Sequence, residues 1–174
     1  IIGGGLAGLV CGIRLQEAGQ RCAILSAGQS ALHFSSGSFD LLNRLPSGEE
    51  VIHPLDAISS LPAKHPYRLI GEDRVKRYAA CVPEWFKQSV GVDLHGEVNR
   101  NHYRLSPIGI AKQAWMSFDE FTPVFEPSAV PNEKVLLVNF EGFLDFYPKF
   151  ITDSLIQNGG RCCVKLVNLP AVEK

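Results

Sequence analysis

Apolar positions in the first part of the chain follow helical spacing, directly after a cluster of glycines. The predicted helix ends at Gly19, and its apolar face is formed by Leu6, Leu9, Val10, Ile13 and Ala18. Ile1 and Ile2 precede the glycines as the end of a strand, and Arg21 to Ser26 (RCAILS) predicts a second, short parallel strand. The pattern is typical of a β–α–β unit with a right-handed crossover.

A second β–α–β pattern closes the chain. Lys134 to Asn139 (KVLLVN) predicts a buried strand, Leu144 to Gln157 a helix with Pro148 in its first turn, and Arg161 to Val167 another strand. This unit lacks phosphate-binding glycines, which indicates a structural role.

The segment between these units reads first as irregular. Residues 43–71 contain four prolines and two histidines, His53 and His65, which we expect to be solvated. Asp73 to Val90 then predicts a helix that Pro83 should kink or divide. Its apolar face would be formed by Val75, Tyr78, Ala79, Val82, Trp85 and Phe86.

Two strands, Val92 to Val98 and His102 to Ser106, are predicted next, paired antiparallel through Asn99-Arg100-Asn101 and followed by a turn at Pro107-Ile108-Gly109. Such an insertion in a nucleotide-binding fold typically forms a cap over the substrate. Four cationic side chains in and around this insertion either face an anionic substrate or are ordinary surface charges: Arg68, Arg100, Arg104 and Lys112.

Composition narrows the class of protein. The 174 residues have a net charge of −1 and 45% hydrophobic content, so no basic excess suggests nucleic-acid binding. No apolar run reaches the roughly 18 residues needed to span a bilayer. The five cysteines have no metal-ligand spacing, so we expect buried reduced thiols and no metal or iron–sulfur site: Cys11, Cys22, Cys81, Cys162 and Cys163.

The expected fold class is α/β, a Rossmann-like FAD/NAD(P)-binding fold with a parallel sheet and an inserted antiparallel β cap. Residues 1–45 would begin the flavin- or dinucleotide-binding domain, 46–132 form the irregular segment, helix and antiparallel insertion, and 133–174 the second β–α–β unit. The short apolar run before the glycines and the lack of an initiating Met indicate a fragment of a longer polypeptide.

Gly3, Gly5 and Gly8 have the G-x-G-x-x-G spacing of a dinucleotide-binding turn. Gly3 permits the tight turn, Gly5 lets the backbone approach a phosphate, and Gly8 lets helix and strand pack closely. The phosphate would lie at the helix N-terminus, where free N–H groups meet the positive end of the dipole. The alternative is a glycine-rich turn without a ligand.

The end of the second predicted strand departs from the dinucleotide pattern. The acid that binds the adenosine ribose is expected about 20 residues after the glycines, and Ser26 occupies that place. The following Ser- and Gly-rich loop includes Ser35, Ser36 and Gly37, which we expect to approach a cofactor ring, unless it is simply a surface loop. His33 is a structural histidine or, by residue type only, a candidate base.

These residues carry a family resemblance. GGGLAGLVCGIRLQEAG and RCAILSAGQSALHFSSGSFDLL resemble the N-terminal part of the B subunit of anaerobic glycerol-3-phosphate dehydrogenase, and the likeness continues through HPYRLIG, LSPIG and KVLLVNFEGFLDF. The resemblance implies a flavoprotein subunit of a quinone-linked respiratory enzyme that oxidises sn-glycerol 3-phosphate to dihydroxyacetone phosphate. It further implies two partners, a catalytic A subunit and an iron–sulfur C subunit that tethers the complex to the cytoplasmic face of the inner membrane. Electrons would pass through quinone to fumarate or nitrate.

The resemblance implies FMN, with FAD as the alternative. FMN needs no acid at Ser26, whereas three glycines suit a pyrophosphate, which FMN lacks. Cofactor contacts are therefore expected at Gly3, Gly5, Gly8, Ser26, Ser35, Ser36 and Gly37. No catalytic residue is assigned, since His33 and Arg104 qualify by residue type alone. Two other functions stay open: a different FAD- or NAD(P)-dependent oxidoreductase, and a non-catalytic scaffold subunit.

Overall fold

The structure, a computed structural model, describes residues 1–106, 110–118, 124–125, 134–157 and 159–168, the pair 124–125 by its backbone only. The chain divides into two compact units, Ile1–Gly37 and Ser38–Lys174. The predicted turn at Pro107-Ile108-Gly109 lies outside the described residues.

The first unit contains helix α1 (Leu6–Glu17), followed by a short 3₁₀ helix (Ala31–Phe34). Ile2 and Leu25 form a parallel bridge, in which the Gly3 N–H donates to the Leu25 carbonyl over 2.8 Å. The predicted parallel direction is therefore confirmed, but the strand expected over residues 21–26 is reduced to this bridge. The predicted end of α1 is also confirmed, because Gly19 adopts φ 73° just beyond the helix.

The second unit begins with two three-stranded antiparallel sheets, ordered β1-β5-β2 and β4-β3-β6. Their strands are short, and two helices and a second 3₁₀ helix accompany them. The bounds are β1 Ser38–Phe39, 3₁₀ helix Ala57–Ser60, α2 Pro66–Ile70, α3 Glu72–Val90, β2 Leu94–His95, β3 His102–Leu105, β4 Ala111–Ala114, β5 Met116–Phe118 and β6 Val124–Phe125.

The predicted hairpin between the strands that became β2 and β3 is wrong. β2 pairs with β5, whereas β3 pairs with β4 and β6; an isolated Glu97–Arg100 bridge joins the connection between them. Gly96 explains the difference, because its φ of 135° turns the chain out of the strand directly after His95. A Cβ at Gly96 would lie 2.6 Å from the Trp115 carbonyl oxygen, so β5 packs closely against this turn.

The segment 43–71 is more ordered than predicted, because it contains the second 3₁₀ helix and α2. Pro66 is the first residue of α2, and His65 caps this helix by accepting the Tyr67 N–H at Nδ1 over 3.2 Å. The Nδ1 atom of His53 lies 2.9 Å from the Asn99 carbonyl oxygen. Both histidines therefore have protein partners and are not merely solvated.

Helix α3 confirms the predicted helix but runs unbroken through Pro83, so the expected division is wrong. Val75 and Ala79 are buried in the main core with Trp115 and Met116. Tyr78 is 57% exposed and does not belong to the buried face. Three aromatic rings pack edge to face where α3 meets the first sheet: Phe39, Phe86 and Phe118.

The second β–α–β unit is confirmed as β7 (Lys134–Phe140), α4 (Pro148–Gln157) and β8 (Arg161–Val167), with β7 and β8 parallel and in register. Helix α4 begins four residues later than predicted, because proline favours the first helical position and disfavours helical backbone before it. The prediction that β7 is buried is wrong, since Leu136, Val138 and Phe140 are each more than 40% exposed.

The expectation of buried cysteines is also wrong. All five thiols are free, but four are exposed and Cys162 is half-buried. Its Sγ lies 3.8 Å from Thr152 Oγ1, on the side of the sheet that α4 covers. Among the residues that the structure describes, no helix has the length and apolar character of a membrane span.

Candidate functional site

The turn between the first strand and α1 has a geometry that only glycine satisfies at two of its positions. Gly3 adopts φ 108°, a backbone conformation that side chains disfavour. A Cβ added at Gly8 would lie 1.9 Å from the Gly3 carbonyl oxygen, so α1 rests directly on the backbone of the turn. The structure therefore brings Gly3 and Gly8 together, as their spacing predicted.

Gly5 is the N-cap residue of α1 and has an ordinary extended backbone, with φ −77°. A Cβ at Gly5 would meet no atom within 4 Å, so the space beside this residue is open. Neither chain geometry nor packing requires glycine here. Open space beside a backbone amide is what a ligand approaching the turn would need.

The N-terminus of α1 also has the electrostatic character of an anion site. Leu9 is the first helical residue whose N–H reaches back to the carbonyl of Gly5, over 2.9 Å. The earlier N–H groups of the helix have no intrahelical acceptor. Among the residues that the structure describes, no side chain caps the helix, and the first turn of the helix contains no acidic residue. The amides and the positive end of the dipole are therefore available to an anion.

Ser26 lies against this turn. A Cβ at Gly4 would be 2.9 Å from Ser26 Oγ, and that hydroxyl donates to the Gly28 carbonyl over 2.9 Å. The position that ends the second strand therefore presents a neutral hydroxyl. A ribose placed beside Ser26 would meet a hydroxyl where dinucleotide-binding folds have a carboxylate.

Ser35 and Gly37 are held by local contacts beyond the 3₁₀ helix. The Ser35 N–H donates to the Leu32 carbonyl over 3.0 Å, and the Gly37 N–H donates to Ser35 Oγ over 3.3 Å. Ser36 lies between them and is exposed. These bonds order the loop on itself, and its predicted approach to a cofactor ring stays a prediction.

The four cations proposed for an anionic substrate are not alike. Arg68 lies 3.9 Å from Glu72, and Lys112 lies 3.9 Å from Asp40, both at the surface. Arg104 is only 4% exposed, and its Nε donates to Ser38 Oγ over 2.8 Å. The surface alternative therefore describes Arg68, Arg100 and Lys112, which are all exposed, whereas Arg104 is a buried charge.

Sequence reasoning missed the neighbours of Arg104. His102, two residues before it on β3, lies with Nε2 2.8 Å from Ser117 Oγ, and its ring is 5.5 Å from that of His95. Burial, then the neighbouring His95 and Arg104, lower the pKa of His102 to about 4. The alternation of His102 and Arg104 on one strand was the sequence signal for this cluster. The serines that they contact, Ser117 and Ser38, are far away in sequence. Among the described residues, no group of three His, Cys, Asp or Glu side chains could hold a metal ion.

Comparison with known proteins agrees with the geometry of the turn. A family model described as an FAD binding domain matches residues 1–173. The chain therefore belongs to the FAD binding domain family, and its fold is an FAD-binding Rossmann-like α/β fold. No solved structure matches the chain significantly.

Curated relatives make the likeness more specific. The chain is 42% identical to the B subunit of anaerobic glycerol-3-phosphate dehydrogenase from Yersinia enterocolitica and 41% identical to that from Yersinia pseudotuberculosis, in each case over 100% of this chain and 42% of the relative. It is 43% identical to the protein of that name from Actinobacillus pleuropneumoniae, over 91% of this chain and 37% of the relative. The resemblance indicated by the motifs is confirmed, and the chain spans less than half the length of these relatives.

The comparisons also bear on the cofactor. The family match supports a flavin and specifically FAD, the alternative in the sequence analysis, and gives no support to FMN. The relatives' shared name designates one lettered subunit of a dehydrogenase.

Proposed function

We propose that this chain is the FAD-binding portion of a dehydrogenase subunit that acts on glycerol 3-phosphate. The observation that carries the proposal is the glycine turn, where Gly8 packs on the Gly3 carbonyl and the uncapped helix N-terminus adjoins open space at Gly5. Membership in the FAD binding domain family supports it. The relatives' name supplies the substrate.

In this proposal each predicted residue has a distinct role. Gly3, Gly5 and Gly8 form the turn that holds the FAD pyrophosphate against the first amides of α1. Ser26 offers its hydroxyl to the adenosine ribose in place of the usual carboxylate.

The Ser- and Gly-rich loop would complete the cofactor site. Ser35, Ser36 and Gly37 would line the flavin ring with hydroxyl and amide groups. Bound flavin supplies the redox chemistry, accepting a hydride and passing electrons on singly, while these residues bind and orient it.

The complete enzyme would oxidise sn-glycerol 3-phosphate to dihydroxyacetone phosphate. Electrons would pass from the flavin through the iron–sulfur C subunit to quinone, and then to fumarate or nitrate, with the A subunit as the catalytic partner. The complex would be peripheral on the cytoplasmic face of the inner membrane. The relatives' name, which specifies one lettered subunit of a dehydrogenase, supports a complex of this kind.

The first experiment identifies the flavin. The purified protein is denatured, and the released cofactor is separated by chromatography beside FMN and FAD standards. We expect FAD. Release of FMN would show that the pyrophosphate role of the turn is wrong, and a colourless protein that binds NAD would favour a different oxidoreductase.

A pair of glycine variants tests where the cofactor binds. Gly5→Ala adds a methyl group to open space without backbone strain, so the fold should be retained. We expect FAD affinity to fall about tenfold, because the added methyl group keeps the phosphate away from the helix amides.

The matched control is Gly12→Ala on the same helix, whose Cβ would meet the flexible tip of Ile24 at 2.8 Å and that of Ile1 at 3.6 Å, an ordinary contact distance. It should keep its flavin. Equal flavin occupancy in the two variants would show that the phosphate lies elsewhere.

Activity is tested with glycerol 3-phosphate and an artificial electron acceptor, with and without the catalytic A subunit. Reduction of the acceptor that requires the flavin of this chain supports the proposed function. A protein that associates with the A subunit but holds no flavin, while activity persists, would indicate a scaffold.

A further inference from the structure

Two side chains of β3 reach onto the neighbouring three-stranded sheet. His102 and Arg104 are two residues apart on the strand, so they project from the same face. His102 Nε2 lies 2.8 Å from Ser117 Oγ, and Arg104 Nε donates to Ser38 Oγ over 2.8 Å.

The serines that receive these contacts are themselves neighbours. Ser38 on β1 is directly opposite Ser117 on β5, and His95 on β2 is opposite Ser117 from the other side. Cross-strand partners share one face of a sheet, so the three side chains form a row across it. We refer to Ser38, His95, His102, Arg104 and Ser117 together as the polar seam.

The polar seam contains a buried positive charge whose hydrogen-bond acceptor, among the described residues, is a hydroxyl group. Arg104 is 4% exposed, and its Nε donates to the hydroxyl of Ser38, which is neutral. Asp40 directly follows β1. Among the described residues, its carboxylate pairs with Lys112. A guanidinium removed from water is costly unless an anion accompanies it.

His102 adds no positive charge to the polar seam at neutral pH unless an anion arrives. His102 is neutral there, since burial, His95 and Arg104 lower its pKa to about 4. An anion beside Arg104 would favour the imidazolium form and raise that pKa. Lys112, which pairs with Asp40, lies opposite Arg104 in the β3–β4 register, on the same side of the sheet.

We propose that the polar seam is a binding site for a phosphate monoester, held mainly by the guanidinium group of Arg104 with donors from His95 and His102. Guanidinium presents several N–H donors in a fork that matches phosphate oxygens. The assignment of this phosphate to the substrate glycerol 3-phosphate rests on the proposed function, whereas the anion site itself rests on the geometry of the polar seam.

The test follows the imidazole of His102 by NMR while inorganic phosphate is added to the purified protein at constant ionic strength. Phosphate should raise the pKa of His102 saturably from its value of about 4. A separate titration with glycerol 3-phosphate should saturate at lower concentration, and glycerol should produce no change. A pKa that does not respond to phosphate would overturn the proposal.

Variants identify the residue responsible. Arg104→Met keeps the aliphatic stem and should weaken phosphate binding about tenfold or more, while Arg104→Lys keeps the charge but loses the fork and should weaken it less. Arg68→Met removes the same charge from an exposed site and should bind like the parent protein. Circular dichroism and thermal unfolding check that each variant is folded.

Should Arg104→Met prove unfolded, Arg104→Lys carries the test, since it retains a cation in the polar seam. Phosphate affinity unchanged in Arg104→Lys would overturn the role of the guanidinium fork. Phosphate binding without oxidation of glycerol 3-phosphate would contradict the proposed function and leave the anion site standing. Oxidation of glycerol 3-phosphate without any effect of phosphate on the pKa of His102 would contradict the anion site and leave the proposed function standing.

Discussion

The glycine turn of the first unit and the polar seam of the second hold charge in opposite ways. At the turn, backbone amides provide the positive potential. Gly3, Gly5 and Gly8 have no side chains that could contribute to it. In the polar seam, side chains provide it, with Arg104 buried among strands that are distant in sequence. An anion site made of backbone depends on local conformation, whereas one made of side chains depends on tertiary packing.

Substitutions in these two regions should act through different physical effects. A change at the turn should act through the space that the backbone leaves, so even one methyl group matters. A substitution in the polar seam should act through hydrogen bonds that join segments distant in sequence. The expected effects, from the largest to the smallest, follow from this difference.

The largest effect is expected for Gly8→Ala. The added Cβ would lie 1.9 Å from the Gly3 carbonyl oxygen, a distance that requires α1 to move away from the turn. We expect loss of bound flavin and a destabilisation of about 1–3 kcal/mol, typical of overpacking. Flavin absorbance after gel filtration and urea unfolding monitor the two effects.

Gly4→Ala is the neighbouring control for Gly8→Ala. Its Cβ would lie 2.9 Å from the hydroxyl and 3.0 Å from the Cβ of Ser26, contacts that are less severe than the 1.9 Å approach to a backbone carbonyl at Gly8. Its effect should therefore be smaller. A Gly8→Ala protein with full flavin content would show that the turn accommodates a Cβ at this position without losing the cofactor.

The next effect concerns Asn101, whose side chain is hydrogen-bonded to the loop before the second 3₁₀ helix. It is 4% exposed, and its Nδ2 donates to the carbonyls of Leu42 and Val51 over 2.9 and 2.7 Å. Asn101→Ala should cost about 2–3 kcal/mol, because a buried carbonyl is left without a donor. Urea unfolding at neutral pH measures the loss.

Asn43→Ala provides the contrast for Asn101→Ala. Its amide makes one long bond of 3.4 Å to the Gln113 carbonyl, and its buried Oδ1 has no partner among the described residues. Removing it should cost less than about 1 kcal/mol. Equal losses in the two variants would show that the strong bonds of Asn101 do not hold the loop.

The smallest effect concerns the pH dependence of stability. The pKa of His102 is about 4 in the folded protein and 6.5 ordinarily, so the unfolded chain binds more protons between these values. Stability contributed by the neutral histidine is present above pH 6.5 and is lost as the pH falls toward 4. After allowance for partial exposure, the loss is on the order of 1 kcal/mol.

His102→Gln isolates this contribution, since an amide can still bond to Ser117 but does not titrate. Urea unfolding midpoints of the parent protein should fall more steeply than those of His102→Gln between pH 6.5 and 4. Parallel curves would show that His102 titrates normally and that the polar seam does not desolvate it.

Several features were predictable because neighbouring residues determine them. Gly3 and Gly8 occur at the spacing that a close strand–helix turn needs, and Gly19 ends α1 through a positive φ that glycine adopts freely. The β7–α4–β8 unit follows from apolar runs separated by turn residues. The family resemblance depends on such local motifs and is confirmed by the relatives.

The pairing of strands depended on the tertiary structure. Proximity along the chain favoured a hairpin between β2 and β3, but Gly96 turns the chain away and β5 takes the place beside β2. The burial of Arg104 was likewise invisible, since its partner Ser38 lies 66 residues away. Hydrophobic periodicity states which face of a strand is apolar but not which strand lies beside it.

The amino-acid sequence by itself determined the glycine turn, the helix that follows it and the flavin-binding class, because backbone conformation at glycine and helical periodicity are local properties. Only the tertiary structure decided that Ser26 lies against the turn and that Ser38, His95, His102, Arg104 and Ser117 form one polar seam. These contacts arise from the packing of segments that are distant in sequence, where burial and hydrogen bonding select among many possible partners.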